Sequence, residues 1–241
     1  MLHGLLGRGR NWQGIAKALE PEARFALVDL RNHGASPWSD RMDYPAMAAD
    51  VAALIRAEAS GPVRLIGHSM GGKAAMLLAL LEPTLVDRLL VVDIAPVTYA
   101  HDTQGPMLDA MAALDLASFA RRSDADVALA PAVPDAGMRG FLLQNLEQED
   151  GRFRWRANIE VLRATLPVLK SFEAPPEHSW DGPTLAVRGA RSDYVTAAHE
   201  AALRDLFPKA QVSTVEGAGH WPHSERPAVF IEKVRPFLLS S

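Results

Sequence analysis

Hydrophobic residues recur along the chain in two alternating patterns, which are short apolar runs and longer amphipathic segments. Each short run is typical of a buried strand and is followed by turn-forming residues. The longer segments place apolar residues three or four positions apart, as one face of a helix requires. This alternation predicts a parallel sheet with crossover helices. The predicted strands are 25–30, 63–67, 88–93, 183–188 and 211–215, and the helices that alternate with them are 12–19, 45–58, 70–81, 197–207 and 227–239.

The alternation stops after Asp93 and resumes near residue 183. Between these points the pattern is mostly helical, with predicted helices at 107–120, 136–148 and 158–171. We therefore predict an α/β core formed by residues 1–95 and 181–241, with a helical cap inserted at 96–180. Helices should cover both faces of the sheet, and ligands should bind at the carboxyl ends of its strands.

Composition narrows the class of protein. A chain of 241 residues with 48% hydrophobic and 22% charged residues is long enough for one well-filled domain. The net charge of −4 supplies no basic field for nucleic acid, and the absence of cysteine excludes thiolate catalysis. No apolar stretch reaches the roughly 20 residues that span a membrane, and the first residues lack signal-peptide character. The simplest expectation is a cytoplasmic protein.

Ser69 is the first candidate for chemistry, because it stands in Gly67-His68-Ser69-Met70-Gly71 between a predicted strand and a predicted helix. This is the context in which a G-x-S-x-G motif forms a sharp turn that lifts a nucleophilic serine above the sheet. The turn leaves no room for bulky flanking residues, and the start of the helix directs amide groups at a developing oxyanion. A serine hydroxyl is a weak nucleophile, so Ser69 requires a base.

His220 is the predicted base, because the segment 217–221 (Gly-Ala-Gly-His-Trp) follows the last strand and lies late in the chain. His223 is three residues further on, but two histidines supply too few ligands for a metal. We therefore expect neither a metal nor another cofactor. Three more histidines are expected to shape the pocket and three to lie at the surface; these are His3, His33 and His68, and His101, His178 and His199.

Two aspartates compete for the role of orienting acid. Asp93 ends one predicted strand, and Asp193 follows another in the turn that begins at Gly189. Ser192 stands three residues after that glycine and Asp193 four. The residues themselves leave both aspartates open as candidates.

A tetrahedral intermediate needs two backbone donors, one directly after the nucleophile and one from an early loop. Met70 supplies the first amide. The segment His3-Gly4-Leu5-Leu6-Gly7 is interpreted as the early loop, with the Leu5 amide as the second donor.

Taken together, these motifs resemble the alpha/beta-hydrolase superfamily, and closely its small bacterial acyl-ester hydrolases of the YbfF type. The resemblance implies Asp93 as the acid, Ser192 as a second serine in the site and Trp221 as a gate to the pocket. It also implies small-molecule carboxylic esters or acyl-CoA thioesters as substrates. The matching pieces are 3–5, 29–34, 44–47, 67–73, 93–97 and 217–221.

The chain departs from the family in one respect. The family has strands before its His-Gly loop, whereas here that loop begins at residue 3. We therefore expect the opening strands to be missing and the sheet to have an unpaired gap beside the strand that leads to Ser69.

The sequence thus predicts a serine hydrolase that forms an acyl-enzyme on Ser69. The fold alone does not select this chemistry. A cofactor-free haloperoxidase or carbon–carbon bond hydrolase is an alternative enzyme, and a non-catalytic receptor or scaffold is an alternative of another class.

Overall fold

A computed structural model describes residues 1–176 and 178–239 of the chain. Its strands are β1 Val63–His68, β2 Val86–Val92, β3 Leu146–Glu149, β4 Arg152–Trp155, β5 Thr184–Gly189 and β6 Ala210–Val215. Its helices are α1 Gln13–Leu19, α2 Tyr44–Glu58, α3 Met70–Leu81, α4 Gly105–Ala112, α5 Arg122–Leu129, α6 Ala136–Leu143, α7 Ile159–Ala164, α8 Leu166–Lys170, α9 Ala197–Leu206, α10 Pro222–Glu225 and α11 Pro227–Leu239.

The central sheet consists of four parallel strands in the order β1-β2-β5-β6. This confirms the predicted parallel sheet, and each of the four strands lies within two residues of its predicted bounds. Parallel pairing requires a crossover between neighbouring strands, and α3 supplies the crossover from β1 to β2. The loops that follow the strands therefore open at one edge of the sheet.

The first residues of the chain extend this sheet beyond β1. Leu2 makes isolated parallel bridges to both Val28 and Gly67. Its N–H donates to the Ile66 carbonyl at 2.7 Å, and its own carbonyl accepts from His68 N–H at 3.1 Å. The expected gap beside β1 is therefore wrong, because Leu2 fills it. The predicted strand at 25–30 is wrong as a regular strand, since only the bridge at Val28 forms there.

Alternating residues of the strands face two apolar layers. Leu65, Leu89 and Val91 pack with α2, α3 and the segment after β2. Ile66 and Leu90, their chain neighbours, pack against α1 and α11 on the opposite face. This period of two is the geometry of extended strands, and burial on both faces explains why the strands are continuously apolar.

The segment between β2 and β5 differs in detail from the helices predicted there. The helix predicted to reach 148 ends at Leu143, and the chain then forms the β3–β4 hairpin. The helix predicted at 158–171 is split into α7 and α8, with Pro167 in the first turn of α8. Apolar side chains of this segment join the core cluster of α2 and α3. The assignment of 96–180 as a separate cap stays a prediction.

Phe230 tests the layer between α11 and the sheet. It is fully buried, whereas its neighbour Val229 is 37% exposed. We expect Phe230→Ala to lower the free energy of unfolding by about 3–5 kcal/mol, because it leaves a cavity in a packed layer. The matched control Val229→Ala should cost less than about 1 kcal/mol. Urea unfolding measures both, and equal losses would contradict the described packing.

Candidate active site

Ser69 occupies a strained turn between β1 and α3, as the sequence motif predicts. Its φ of 51° and ψ of −120° lie in a region that non-glycine residues rarely adopt. The flanking glycines make the turn possible, because a Cβ at Gly67 would lie 2.2 Å from the Gly71 carbonyl oxygen. The Ser69 N–H donates to the Val92 carbonyl at 3.0 Å. The turn is thereby tied to the end of the neighbouring strand.

Three side chains from three loops form one hydrogen-bonded series. His220 Nε2 lies 3.1 Å from Ser69 Oγ, and His220 Nδ1 lies 2.7 Å from Asp93 Oδ2. A carboxylate only accepts, so the imidazole proton on Nδ1 is donated to Asp93. Nε2 is then free to accept the Ser69 proton. These distances are within the range required of a nucleophile, its base and an orienting acid.

Asp93 is held by more than His220. Its side chain is fully buried, and its Oδ1 accepts the Gly189 N–H at 2.9 Å. The Ser192 hydroxyl donates to Oδ2, the same oxygen that faces His220. Asp193, the competing candidate, is exposed. Of the two aspartates, the structure brings Asp93 against His220.

The early loop lies against the nucleophile. A Cβ at Gly4 would come within 3.2 Å of Ser69 Cβ, so only glycine permits this approach. Leu5, Ser69 and Met70 line one pocket, so the two residues predicted to supply the amides lie beside the same space as the serine. The assignment of the Leu5 and Met70 amides as an oxyanion hole stays a proposal.

Two buried histidines fix the early loop. His3 donates from Nδ1 to the Gly4 carbonyl at 2.8 Å and accepts the Leu30 N–H at Nε2. His33 donates to the Arg31 carbonyl and accepts the Leu6 N–H at 3.1 Å. Burial lowers the pKa of His3 to about 4 and that of His33 to about 3. Both rings are neutral near pH 7, which allows each to donate and accept at once.

His220 is also positioned by rings on two sides. His68 donates from Nε2 to the His220 carbonyl at 2.8 Å, and burial holds the pKa of His68 well below its ordinary value. Tyr194 stacks on the His220 ring with centroids 4.0 Å apart. Trp221, the predicted gate, is half-buried with its ring 6.0 Å from that of Phe141 in α6. The structure therefore brings Trp221 close to His220 and to α6, which belongs to the segment between β2 and β5.

The pocket beside Ser69, called here the Lys73 pocket, contains about 410 Å³ of space, which includes open solvent at its mouth. Lys73 is 1% exposed, and its ammonium donates to the Lys170 and Ser171 carbonyls, each at 2.8 Å. It also lies 4.8 Å from the centre of the Tyr99 ring. No carboxylate pairs with it in the part of the chain that the structure describes. Burial lowers the pKa of Lys73 to about 7.

The sequence analysis did not find the polar residues of the Lys73 pocket. Tyr99 accepts the Ala95 N–H and donates to the Tyr194 carbonyl, so it joins the loops after β2 and β5. His101 was expected at the surface, but it is half-buried and lines this pocket. Lys73 had one usable signal, which is a charge four residues after Ser69 within an otherwise apolar helix. Nothing local distinguishes Tyr99 or Tyr194.

Among residues 1–176 and 178–239, no group of three or more His, Asp or Glu side chains is arranged to hold a metal ion. Within the same ranges, no helix is both long and apolar enough to cross a membrane. The arrangement around Ser69 is suited to acyl transfer with the protein's own groups, namely a hydroxyl, an imidazole and a buried carboxylate.

Comparisons with known proteins show the family of the chain. The model of the alpha/beta hydrolase family matches residues 1–233. The chain is 43% identical over 244 residues to the mouse (Mus musculus) sn-1-specific diacylglycerol lipase ABHD11, covering 98% of the chain and 79% of that protein. It is 35% identical over 238 residues to esterase YbfF of Escherichia coli (strain K12), covering 99% and 91%. A solved marine microorganism esterase matches with a TM-score of 0.96 and 36% identity, over 98% of the chain and 93% of that structure. The resemblance drawn from the motifs is confirmed.

Lys73 gives a test of the electrostatics of the pocket. The unfolded lysine keeps its proton up to an ordinary pKa of 10.5, whereas the folded one loses it near 7. The unfolded state thus binds more protons between these values, and the free energy of unfolding should rise with pH across this window. Lys73→Met keeps the length of the side chain and should remove this rise.

Between pH 7 and 9.5 the free energy of unfolding of the wild type should rise by at least about 1.4 kcal/mol more than that of Lys73→Met. This difference corresponds to one pKa unit. Urea unfolding at both pH values measures the difference. Lys17→Met, on the exposed face of α1, is the control and should give a curve parallel to the wild type. If the free energy of unfolding of Lys73→Met also changed with pH in parallel with that of the wild type, the lowered pKa of the buried Lys73 ammonium would be contradicted.

Proposed function

The chain belongs to the alpha/beta-hydrolase family and is a hydrolase with esterase and lipase relatives, and on this premise we propose that it is a serine esterase that cleaves carboxylic esters through an acyl-enzyme on Ser69. The observation that carries the proposal is the series Ser69 Oγ, His220 and Asp93, with distances of 3.1 and 2.7 Å. A receptor that had merely kept the fold would not need this geometry.

Acylation begins when His220 Nε2 takes the proton of Ser69 as Oγ attacks the ester carbonyl. The carbonyl oxygen becomes an oxyanion, which the amides of Leu5 and Met70 bind in this proposal. His220 then gives the proton to the leaving oxygen as the carbon–oxygen bond breaks, so the alcohol departs neutral. Asp93 stabilises the imidazolium that exists between these transfers.

Deacylation repeats the sequence with water. His220 takes a proton from the water as its oxygen attacks the acyl-enzyme, and the proton returns to Ser69 Oγ as the acid leaves. Ser192 contributes to both stages through Asp93, because its hydroxyl supplies a further donor to the carboxylate. We assign Ser192 as a positioning residue, since it contacts Asp93 rather than the reacting atoms.

The proposal includes acyl-CoA thioesters. The acyl-enzyme is the same for an ester and a thioester of one acid, and a thiol with its pKa near 8.5 leaves more readily than an alcohol. The esterase and diacylglycerol lipase names of the relatives favour oxygen esters for the first tests. Short and long p-nitrophenyl esters, a monoacylglycerol and an acyl-CoA form a panel that separates these substrates.

Ser69→Ala tests the nucleophile. We expect it to lower kcat/KM for p-nitrophenyl butyrate by a factor on the order of 10⁴ or more, because Ser69 supplies the hydroxyl that is hydrogen-bonded to His220 Nε2. A fluorophosphonate probe should label the wild type at Ser69, as read by mass spectrometry of the peptide. Ester turnover that survives in Ser69→Ala would exclude this mechanism.

Paired substitutions of the two aspartates test the acid. Asp93→Asn should lower kcat by roughly 10⁴-fold, because an amide facing Nδ1 favours the wrong tautomer of His220. Asp193→Asn, on the same sheet edge but exposed, should retain activity within about twofold. Thermal unfolding of both variants separates a catalytic loss from a folding defect. The opposite ranking of the two variants would assign the acid to Asp193.

A further inference from the structure

The Lys73 pocket contains a buried ammonium that the proposed mechanism does not use. Lys73 lies four residues after Ser69, at the start of α3, and its backbone N–H donates to the Ser69 carbonyl at 3.1 Å. Both residues line the same pocket. Four residues of an α-helix advance about 6 Å along its axis. The far end of a short acyl chain whose carbonyl carbon is held at Ser69 therefore lies within reach of the Lys73 ammonium.

The protein satisfies this ammonium only in part. An ammonium has three donors, and two of them bond to the Lys170 and Ser171 carbonyls. The rings of Tyr44 and Tyr99 are its other neighbours, with centres 5.7 and 4.8 Å from Nζ. Within the described part of the chain, no carboxylate pairs with Lys73. A buried charge without a counter-ion is unfavourable, so an anion in the pocket would stabilise it.

Other polar side chains of the pocket also offer donors. Gln104 Nε2 donates to the Tyr194 hydroxyl at 2.8 Å, which leaves the proton of that hydroxyl available. The half-buried His101 ring lies edge-on to Tyr194, with centroids 5.0 Å apart. Lys170 adds a second ammonium, whose partner Asp102 is 4.0 Å away and lies outside the lining. Of the thirteen residues that line the pocket, none is an aspartate or a glutamate.

The rest of the lining is apolar. Leu5, Ile94, Leu166 and Leu169 contribute hydrophobic surface to the same pocket. A short run of methylenes would pack on this surface, whereas a purely apolar chain end would leave the ammonium without a counter-ion. A carboxylate at the chain end only accepts hydrogen bonds and carries the missing charge. The lining therefore suits an acyl chain that is apolar along its length and anionic at its end.

We propose that the Lys73 pocket is the acyl subsite and that it selects acyl groups ending in a carboxylate, so that the preferred substrates are half-esters of short dicarboxylic acids. This inference rests on the proposed function and specifies the acid side of its substrate. During acylation the bond from the ester carbonyl carbon to Ser69 Oγ forms and the bond to the alcohol oxygen breaks. The proton of Ser69 passes through His220 to that oxygen, and water later releases the dicarboxylic acid. Lys73 binds the distal carboxylate and takes no part in these transfers.

The test compares ethyl esters, which share one leaving group and differ only at the end of the acyl chain. Monoethyl glutarate ends in a carboxylate, ethyl 5-methylhexanoate in an isopropyl group of similar shape, and ethyl 4-carbamoylbutyrate in a neutral amide. We expect kcat/KM for monoethyl glutarate to exceed that for ethyl 5-methylhexanoate by about tenfold, with the amide between them, because charge-assisted hydrogen bonds are the stronger ones. Measurement at about pH 6.5 keeps Lys73 mostly charged, since burial lowers its pKa only to about 7.

Lys73→Met removes the charge and keeps the length of the side chain. It should lower the ratio of kcat/KM for monoethyl glutarate to kcat/KM for ethyl 5-methylhexanoate by about tenfold. The ratio is the readout, because a general defect in folding or in His220 changes both esters by a common factor. Lys17→Met, on the exposed face of α1, is the matched control and should leave the ratio unchanged.

Gln104→Glu decides the question even where Lys73→Met fails to fold. Gln104 is half-buried beside the first residue of α4, and the substitution keeps its shape while it places a carboxylate in the pocket. The Tyr194 hydroxyl would then donate to this carboxylate. Because like charges repel, the same ratio should fall by about fivefold or more. Gln148→Glu makes the same change of net charge at an exposed position of β3 and should leave the ratio unchanged.

The outcomes separate this inference from the function it rests on. Turnover of all three esters with no preference for monoethyl glutarate overturns the inference and leaves the esterase intact. A preference that survives Lys73→Met or Gln104→Glu, in a variant with unchanged thermal unfolding, does the same. A preference that both variants lower and both controls retain supports the inference. Absence of turnover for every ester, with no fluorophosphonate labelling at Ser69, overturns the esterase and the subsite together.

Discussion

The strained turn at Ser69 is the constraint on which the site depends. A positive φ at a serine persists only where the surroundings enforce it. Here a Cβ at Gly67 would clash with the backbone at the start of α3, and a Cβ at Gly71 would clash with the backbone of Leu2 and His3. Ser69 is also tied to the end of β2. The same turn that raises the hydroxyl also ends at the amide of Met70. One feature therefore positions both the proposed nucleophile and one of the two proposed oxyanion donors.

Neutral buried histidines hold the loops around this turn. A protonated imidazole donates from both nitrogens and cannot accept a hydrogen bond from a backbone N–H. Burial lowers the pKa of His3 and His33, so each ring stays neutral and keeps one donor and one acceptor nitrogen. His68 donates a hydrogen bond to the backbone carbonyl of His220 and so holds the loop of that residue. These rings are part of the scaffold of the site, and His220, half-buried against Asp93, is the one that faces the serine.

Lys73 connects α3, the helix that follows Ser69, with the segment between β2 and β5. Its two bonds to the carbonyls that end α8 hold that segment against α3. On the same side, α8 contributes Leu166 and Leu169 to the wall of the Lys73 pocket. The Lys73 pocket thus takes part of its wall from the segment between β2 and β5, whereas Ser69, Asp93 and His220 lie in loops that follow strands of the sheet.

The sequence by itself determined the parallel sheet, α3 and the identities of Ser69 and His220 as candidates, because period, glycine spacing and chain order are local signals. Local signals left Asp93 and Asp193 open, since which carboxylate meets the imidazole depends on how two loops pack, and Asp93 was favoured by the family resemblance. The gap expected beside β1 and the surface position expected for His101 were both wrong, because Leu2 fills the gap and His101 lines the Lys73 pocket. Strand pairing and burial depend on residues that are distant in the chain. Tertiary structure alone decided the Lys73 pocket, because its walls come from segments more than a hundred residues apart in the chain.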